Sequence, residues 1–278
     1  MVSEISTAPS NLREPFEVPP FFSQIYSIVD KLGSEGRLFL GHTNEECLQK
    51  LSSRGFATLG IERQPDYSTC DSTSEQTYLT DNRIIDAPKL IRKIIRLNPH
   101  MSNILRLLCK FYRIDEVNVL TSTSGINNGS DFWHRDGVGH RIKVFIPLYL
   151  QGNPPATHIF SSSHLDSCHP MRWEMYRVNQ EDPHRQPHQE FIQKHHTPLF
   201  GIHETLQWSY DRVILIDTNT IHRAGNFVGI AKESWRCFAS LELMEPLQSY
   251  AANKYRLGEC NTRRNERLIS LVHEEIDL

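Results

Sequence analysis

The sequence has no apolar run approaching the length of a membrane span, so no membrane partner is expected. It also lacks any CxxC spacing. The six cysteines (Cys47, Cys70, Cys109, Cys168, Cys237 and Cys260) are scattered and read as free, buried or half-buried thiols of a reducing compartment. An excess of one charge is missing too, since 30 basic and 33 acidic residues are evenly mixed for a net charge of −3. That balance excludes a basic stripe for nucleic acid and a polybasic membrane patch. The opening "MVSEISTAPSNLREPFEVPP" has neither the basic start nor the apolar stretch of a signal peptide. Residues 1–20 therefore read as a flexible, proline-punctuated lead-in to a cytoplasmic protein. No repeat of fixed period is present. What the chain does have is 38% hydrophobic and 9% aromatic residues over 278 positions, enough for a sizeable core in one domain spanning 21–278.

The part to about residue 112 is helix-flavoured. "PPFFSQIYSIVDKL" places Phe22, Ile25, Ile28, Val29 and Leu32 near one helical face. "TNEECLQKLSSRGFATLGI" offers Thr43 or Asn44 as a cap, a stop near Gly55 and a short strand over Phe56–Ile61. "RQPDYSTCDSTSEQTYLTDN" reads as a polar loop, and "APKLIRKIIRLNPHMSNILRLLCKFY" as helices broken around Asn98-Pro99. From about 113 to 245 the texture becomes alternating. In "RIKVFIPLYL", Ile142, Val144, Ile146, Leu148 and Leu150 fall on one face and Arg141, Lys143, Phe145 and Tyr149 on the other. "ATHIFSSSH", "DRVILIDTN", "IHRAGNFVG" and "SWRCFASLEL" continue the series. Many short strands without alternating helices point to an antiparallel barrel or jelly roll. A polar insertion at about 170–201 interrupts the pattern, with Trp173 and Tyr176 as candidate lid residues. Its His184 and His188 read as a solvated loop, with Pro187 between them. The tail ends in an amphipathic helix, with Leu268, Ile269 and Val272 expected to pack.

"DFWHRDGVGHRIKVF" carries the chemistry. His134 and Asp136 are two apart, so on extended chain they share a face while Arg135 points away. Polar groups at the mouth of a buried strand cost desolvation unless something binds them. His222 in "ILIDTNTIHRAGN" offers a third donor. Two histidines and one carboxylate on one face make the facial triad of non-heme Fe(II) oxygenases, which leaves coordination positions open. Arg236 lies on a strand face with Phe238 and Ser240, opposite Cys237, Ala239, Leu241 and Leu243. An inward arginine needs an anion, and a carboxylate fits its planar fork. Lys143 shares the face of Phe145 and is a second cation able to meet an anionic group; Arg141 reads as an exposed strand end.

The segments "FWHRD…RIKVFIPLYL", "THIFSSSHL" and "DRVILIDTNTIHRAGN…SWRCFASLEL", with the helix-strand unit "NEECLQKLSSRGFATLGI", resemble the phytanoyl-CoA dioxygenase (PhyH-like) family of Fe(II)/2-oxoglutarate oxygenases from about Asn44 to Glu242. The resemblance implies a mainly β chain with flanking helices, built on a double-stranded β-helix (jelly roll) core with N-terminal helices packed on one sheet. It implies His134, Asp136 and His222 as iron ligands, Arg236 on the distal carboxylate of 2-oxoglutarate, and Phe145 as an inward aromatic beside that co-substrate. Fe(II), 2-oxoglutarate and O2 would then hydroxylate an unactivated C–H bond of a small organic molecule, releasing succinate and CO2. The same chemistry gives desaturation, epimerisation or ring formation, and a metal-binding jelly roll without turnover is the alternative of another class. Two positions depart from relatives. "SSSH" stands where they commonly read Pro-Gly-Ser-His, so His164 is given no catalytic role. Ala224 stands where they often have Ser, two positions after the distal histidine.

Overall fold

The computed structural model describes residues 20–63, 65, 77–80, 83–123, 135–136, 141–165, 204–224, 234–247 and 265–277. In chain order they form α1 (Pro20–Gly41), α2 (Glu46–Arg54), β1 (Phe56–Gly60), β2 (Thr77–Thr80), β3 (Arg83–Asp86), α3 (Ala87–Leu97), α4 (Pro99–Leu108), β4 (Arg113–Thr123), β5 (Arg141–Gln151), β6 (Thr157–Ile159), β7 (Glu204–Leu206), β8 (Arg212–Asp217), β9 (His222–Ala224), β10 (Trp235–Met244) and α5 (Glu266–Ile276). No helix among the described residues is long and apolar enough to cross a membrane.

Every strand pairing among the described residues is antiparallel. A five-stranded sheet has the order β1-β8-β5-β10-β4, and a three-stranded sheet the order β7-β6-β9. From β4 onward the chain crosses back and forth between them, with β4, β5, β8 and β10 in the large sheet and β6, β7 and β9 in the small one. That winding is a jelly roll. Side chains of both sheets meet in one apolar cluster of Phe56, Ile159, Trp208, Ile214, Ile216 and Phe238, flanked by Phe145, Leu150 and Leu206.

The opposite face of the large sheet is covered by helices. Ile142, Val144, Ile146 and Leu148 of β5 and Cys237, Ala239, Leu241 and Leu243 of β10 pack there with helical residues. α3 buries Ala87, Leu90, Ile91, Ile94 and Ile95 at helical spacing, and the Asp86 carboxylate caps it by accepting from Lys89 N at 3.1 Å. Each such aliphatic side chain contributes about 1.5–3 kcal/mol when fully buried. The helix breaks at Asn98, ahead of Pro99 in the first turn of α4. The buried Asn98 amide donates to Ile94 O (2.8 Å) and Arg63 O (2.9 Å), and its oxygen accepts from Arg63 N (3.0 Å). The C-terminal α5 joins the same layer, burying Leu268, Ile269 and Val272 as the sequence suggests. Its buried Glu275 takes Arg92 Nε at 2.9 Å and Arg96 Nη2 at 2.9 Å from α3.

Three expectations are corrected. α2 starts after Glu45, and neither Thr43 nor Asn44 caps it; the Thr43 hydroxyl instead donates back to Leu40 O (2.8 Å) at the end of α1. Residues 77–80, expected in a loop, form β2 and pair with β3. In β5 the alternation slips one residue after Pro147: Phe238 pairs with Pro147, and Cys237 with Tyr149. Leu150 therefore joins the inter-sheet cluster while Tyr149 packs on the helical side. Proline has no N–H for the ladder and is tolerated at such a bulge. The Tyr210 hydroxyl accepts from Leu150 N (2.6 Å) and donates to Leu150 O (3.0 Å) just beyond it.

Gly55 ends α2 in the left-handed region (φ 80°), with its N–H on Leu51 O. A Cβ there would sit 2.3 Å from Thr220 Oγ1 and 2.6 Å from His164 Nδ1. Gly55→Ala should therefore cost about 2 kcal/mol or more, from backbone strain and overpacking together. Urea unfolding should show a lowered midpoint, and an unchanged midpoint would contradict this packing.

Candidate metal centre

His222 opens β9 after the turn "DTNTI". Asp217 Oδ1 accepts from Asn219 N (2.9 Å) and Asp217 O from Thr220 N (2.9 Å), as these turn residues favour. The turn is anchored on the end of α2, because Gly55 O accepts from Asp217 N (2.8 Å) and Thr220 Oγ1 (2.9 Å). It is braced from the other side by the 3-10 turn Ser163–Leu165. Ile221 N donates to Ser163 Oγ (2.8 Å), and the His164 ring nitrogen Nε2 donates to Ser52 O (2.8 Å). His164 is thus a buried structural residue. Ser162, where the resembling family commonly has glycine, takes a left-handed φ of 64° and is held by its N–H on Arg54 O (2.8 Å).

Thr218 ties this turn to the strand mouth. Its carbonyl accepts from Asp136 N (3.0 Å), its hydroxyl from Arg141 N (3.2 Å), and its own N–H donates to Arg141 O (2.9 Å). One threonine therefore carries the register between Asp136, the start of β5 and the turn bearing His222.

His222 is buried, with Nδ1 2.8 Å from Thr220 O. A carbonyl only accepts, so Nδ1 carries the proton and, in the neutral ring, Nε2 holds the lone pair. Nε2 lies 3.5 Å from Asp136 Oδ2. Metal–nitrogen and metal–oxygen bonds are about 2.0–2.2 Å long, which at near-right angles sets two donors roughly 3 Å apart. The pair fits a shared cation after a small adjustment, and the Nδ1–carbonyl bond is the outer support a ligating histidine needs. His134 lies outside the described residues, and among the described residues no group of three or more His, Cys, Asp or Glu side chains is placed to hold a metal ion.

Asp136 Oδ2 also receives Lys143 Nζ at 2.9 Å. The same ammonium sits 2.9 Å from Glu242 Oε1, and Glu242 Oε2 is 3.1 Å from Arg141 Nη1. Lys143 and Glu242 are register partners across β5 and β10, so the Arg141–Glu242–Lys143 part of the ladder follows from strand pairing, and Asp136, held by Thr218, joins it from outside the strands. Glu116 of β4 stands opposite Glu242 and accepts from the Asn118 amide. Burial disfavours the Lys143 ammonium, but the carboxylates of Asp136 and Glu242 outweigh it and raise its pKa above the ordinary lysine value. Arg141 is corrected by the structure: its side chain is 12% accessible and paired with Glu242 rather than an exposed strand end.

Phe145 follows Lys143 on the inward face and meets Phe238 (5.5 Å between centroids) and Trp208 (5.9 Å). Arg236 is buried behind this aromatic floor, its guanidinium 4.5 Å above Trp208 and 5.4 Å from Phe238. Its Nη1 donates to Pro155 O (3.1 Å), while Trp208 Nε1 donates to Thr157 Oγ1 (3.2 Å). Arg236 pairs with Leu150 whereas Glu242 pairs with Lys143, so both stand on the inward face of β10 with Phe238 and Ser240 between them. The structure brings Asp136, His222 and Lys143 together; the Trp208 beneath Arg236 bonds Thr157, which pairs with Ala224, two residues from His222. Trp173, Tyr176, His184 and His188 lie outside the described residues.

Sequence reasoning missed Glu242 and Trp208. Glu242 was visible by parity, sharing a face with Arg236, Phe238 and Ser240; Trp208 precedes β8 and has no periodic signal. The thiols of Cys47, Cys109 and Cys237 are free, and burial pushes their pKa values up to about 12, about 11 and about 12, which removes thiolate chemistry at neutral pH.

No family model matches the sequence, and no curated protein matches it. Solved structures do. The non-heme alpha ketoglutarate dependent carbocyclase SnoK from nogalamycin biosynthesis shares 11% identity at a TM-score of 0.41, over 74% of this chain and 85% of that one. The epimerase SnoN, solved with Fe3+, alpha ketoglutarate and nogalamycin RO, shares 12% identity at 0.44, over 79% and 84%. EctD from S. alaskensis with bound Fe shares 14% identity at 0.45, over 71% and 75%. At such identities and TM-scores these likenesses assign no activity to this chain.

Proposed function

We propose that the protein is an Fe(II)/2-oxoglutarate-dependent dioxygenase that hydroxylates an unactivated C–H bond of a small organic molecule in the cytoplasm. The observation that carries the proposal is His222 Nε2 held 3.5 Å from Asp136 Oδ2 while Nδ1 is fixed on Thr220 O. In this reading His134, Asp136 and His222 hold the metal. Bound Fe(II), with 2-oxoglutarate and O2, supplies an oxidant able to take hydrogen from carbon while 2-oxoglutarate leaves as succinate and CO2.

The protein's own residues then have separable tasks. Thr218 and the Gly55 carbonyl fix where the ligands stand, so little reorganisation is needed when the metal arrives. Arg236, its guanidinium held over the Trp208 ring, offers a fork to the distal carboxylate of 2-oxoglutarate. The rings of Phe145, Phe238 and Trp208 pack on one another beside Arg236 and exclude water there, which strengthens the charged contact that it makes. The retained carboxylate at Asp136 disfavours halogenation, because related halogenases have Gly or Ala there.

Anaerobic addition of Fe(II) and 2-oxoglutarate should give a weak visible charge-transfer band, absent in His134→Ala and in His222→Ala. Normal iron binding and turnover in both variants would rule out these ligands. Asp136→Gly should lose hydroxylation, and full activity would make Asp136 a turn residue only.

Removing a buried charged partner typically costs about 2–5 kcal/mol in binding, a weakening on the order of 30-fold or more. Arg236→Ala should therefore raise the Kd of 2-oxoglutarate by that factor in an anaerobic titration, with iron affinity little changed. An unaltered Kd would remove Arg236 from the co-substrate site.

A further inference from the structure

Lys143 is an unusual neighbour for a metal ligand. Its ammonium addresses the same oxygen, Asp136 Oδ2, that faces His222 Nε2. We infer that Lys143 is a cation latch on the metal position, holding the Asp136 carboxylate until a divalent ion displaces it, with Glu242 as the carboxylate that keeps the displaced ammonium. The inference rests on the metal reading of Asp136 and His222.

The geometry supports each part. Lysine has three donors and no acceptor, so one ammonium can engage two carboxylates at once, here at 2.9 Å each. A cation bound between Oδ2 and Nε2 repels the ammonium, which retains Glu242 Oε1 as it moves. Glu242 cannot follow Lys143 toward Asp136, because Arg141 holds its other oxygen at 3.1 Å and β10 fixes its backbone. Lys143 itself is anchored near the start of β5, paired with Glu242 of β10 and Ile216 of β8, so only its flexible side chain has to swing. The latch keeps the half-buried carboxylate aimed at His222 and pairs its charge when no divalent ion is bound.

Glu242 thus favours metal binding although it touches no metal. Without it, the Lys143 ammonium leans on Asp136 alone of the two and competes harder; without Lys143, that ammonium no longer competes for the oxygen. The two substitutions must act in opposite directions, and Glu242 must matter mainly when Lys143 is present.

Titration with Co(II) alone, followed by its visible d–d bands, tests this without turnover, and thermal melts check that each variant folds. Lys143→Met should bind Co(II) about tenfold more tightly than wild type and Glu242→Gln about tenfold more weakly, the scale of one charged hydrogen bond lost or strengthened in competition for Asp136 Oδ2. In the Lys143→Met background the effect of Glu242→Gln should largely vanish. Equal affinity in wild type and Lys143→Met, or an undiminished effect of Glu242→Gln in that background, would overturn the latch while leaving the metal site intact. Wild type showing no more Co(II) binding than Asp136→Asn would instead overturn the metal reading itself. Should Lys143→Met fail to fold, Glu242→Asp, which draws the receiving carboxylate back by one methylene, should still weaken Co(II) binding, and unchanged affinity there would count against the latch.

Discussion

The carbonyl of Gly55 accepts two hydrogen bonds, from Asp217 N and from the Thr220 hydroxyl, and the position of His222 follows from them. Because the carbonyl sits at a left-handed helix end, a helix on one side of the large sheet dictates the shape of a turn at the barrel mouth. Thr220 then uses its own carbonyl to fix the His222 ring, and Thr218 of the same turn holds Asp136. A chain of short backbone contacts thus carries position from α2 to the two candidate ligands. The turn from Asp217 to Ile221 makes its bonds both within itself and to its neighbours, which stiffens that chain.

The large sheet divides the labour of the sequence by parity. Along β5 and β10 one face is aliphatic and packs on helices, while the other presents Lys143, Phe145, Arg236, Phe238 and Glu242 to the barrel. Hydrophobic burial on the helical face stabilises the sheet independently of the inward residues. The inward face is therefore free to hold charge, provided the charges pair. Lys143 and Glu242 do so in an alternating ladder that ends on a candidate metal ligand, and Arg236 donates to Pro155 O.

Much of this was legible in the sequence where a period of two or 3.6 operates. The faces of β10, the first half of β5, the helices either side of Asn98-Pro99 and the packing residues of α5 all follow from spacing alone. The slip after Pro147 was not legible as a register, although a proline inside a strand is a warning, so Tyr149 and Leu150 were assigned to the wrong faces. Arg141 was misjudged because its fate depends on Glu242, which lies far along the chain and meets it only through strand pairing. Sequence spacing suggested that Asp136 and His222 could share a site. The role of Lys143 between Asp136 and Glu242 required three-dimensional contacts that no single segment contains.

The central claim is that Asp136 and His222 share a divalent cation. Crystals grown with Mn(II) and 2-oxoglutarate, measured for anomalous scattering, test it most directly. The account requires a peak about 2.0–2.2 Å from both Asp136 Oδ2 and His222 Nε2, with the Lys143 ammonium turned to Glu242. An absent peak there, with Lys143 still seated on Asp136, would contradict it.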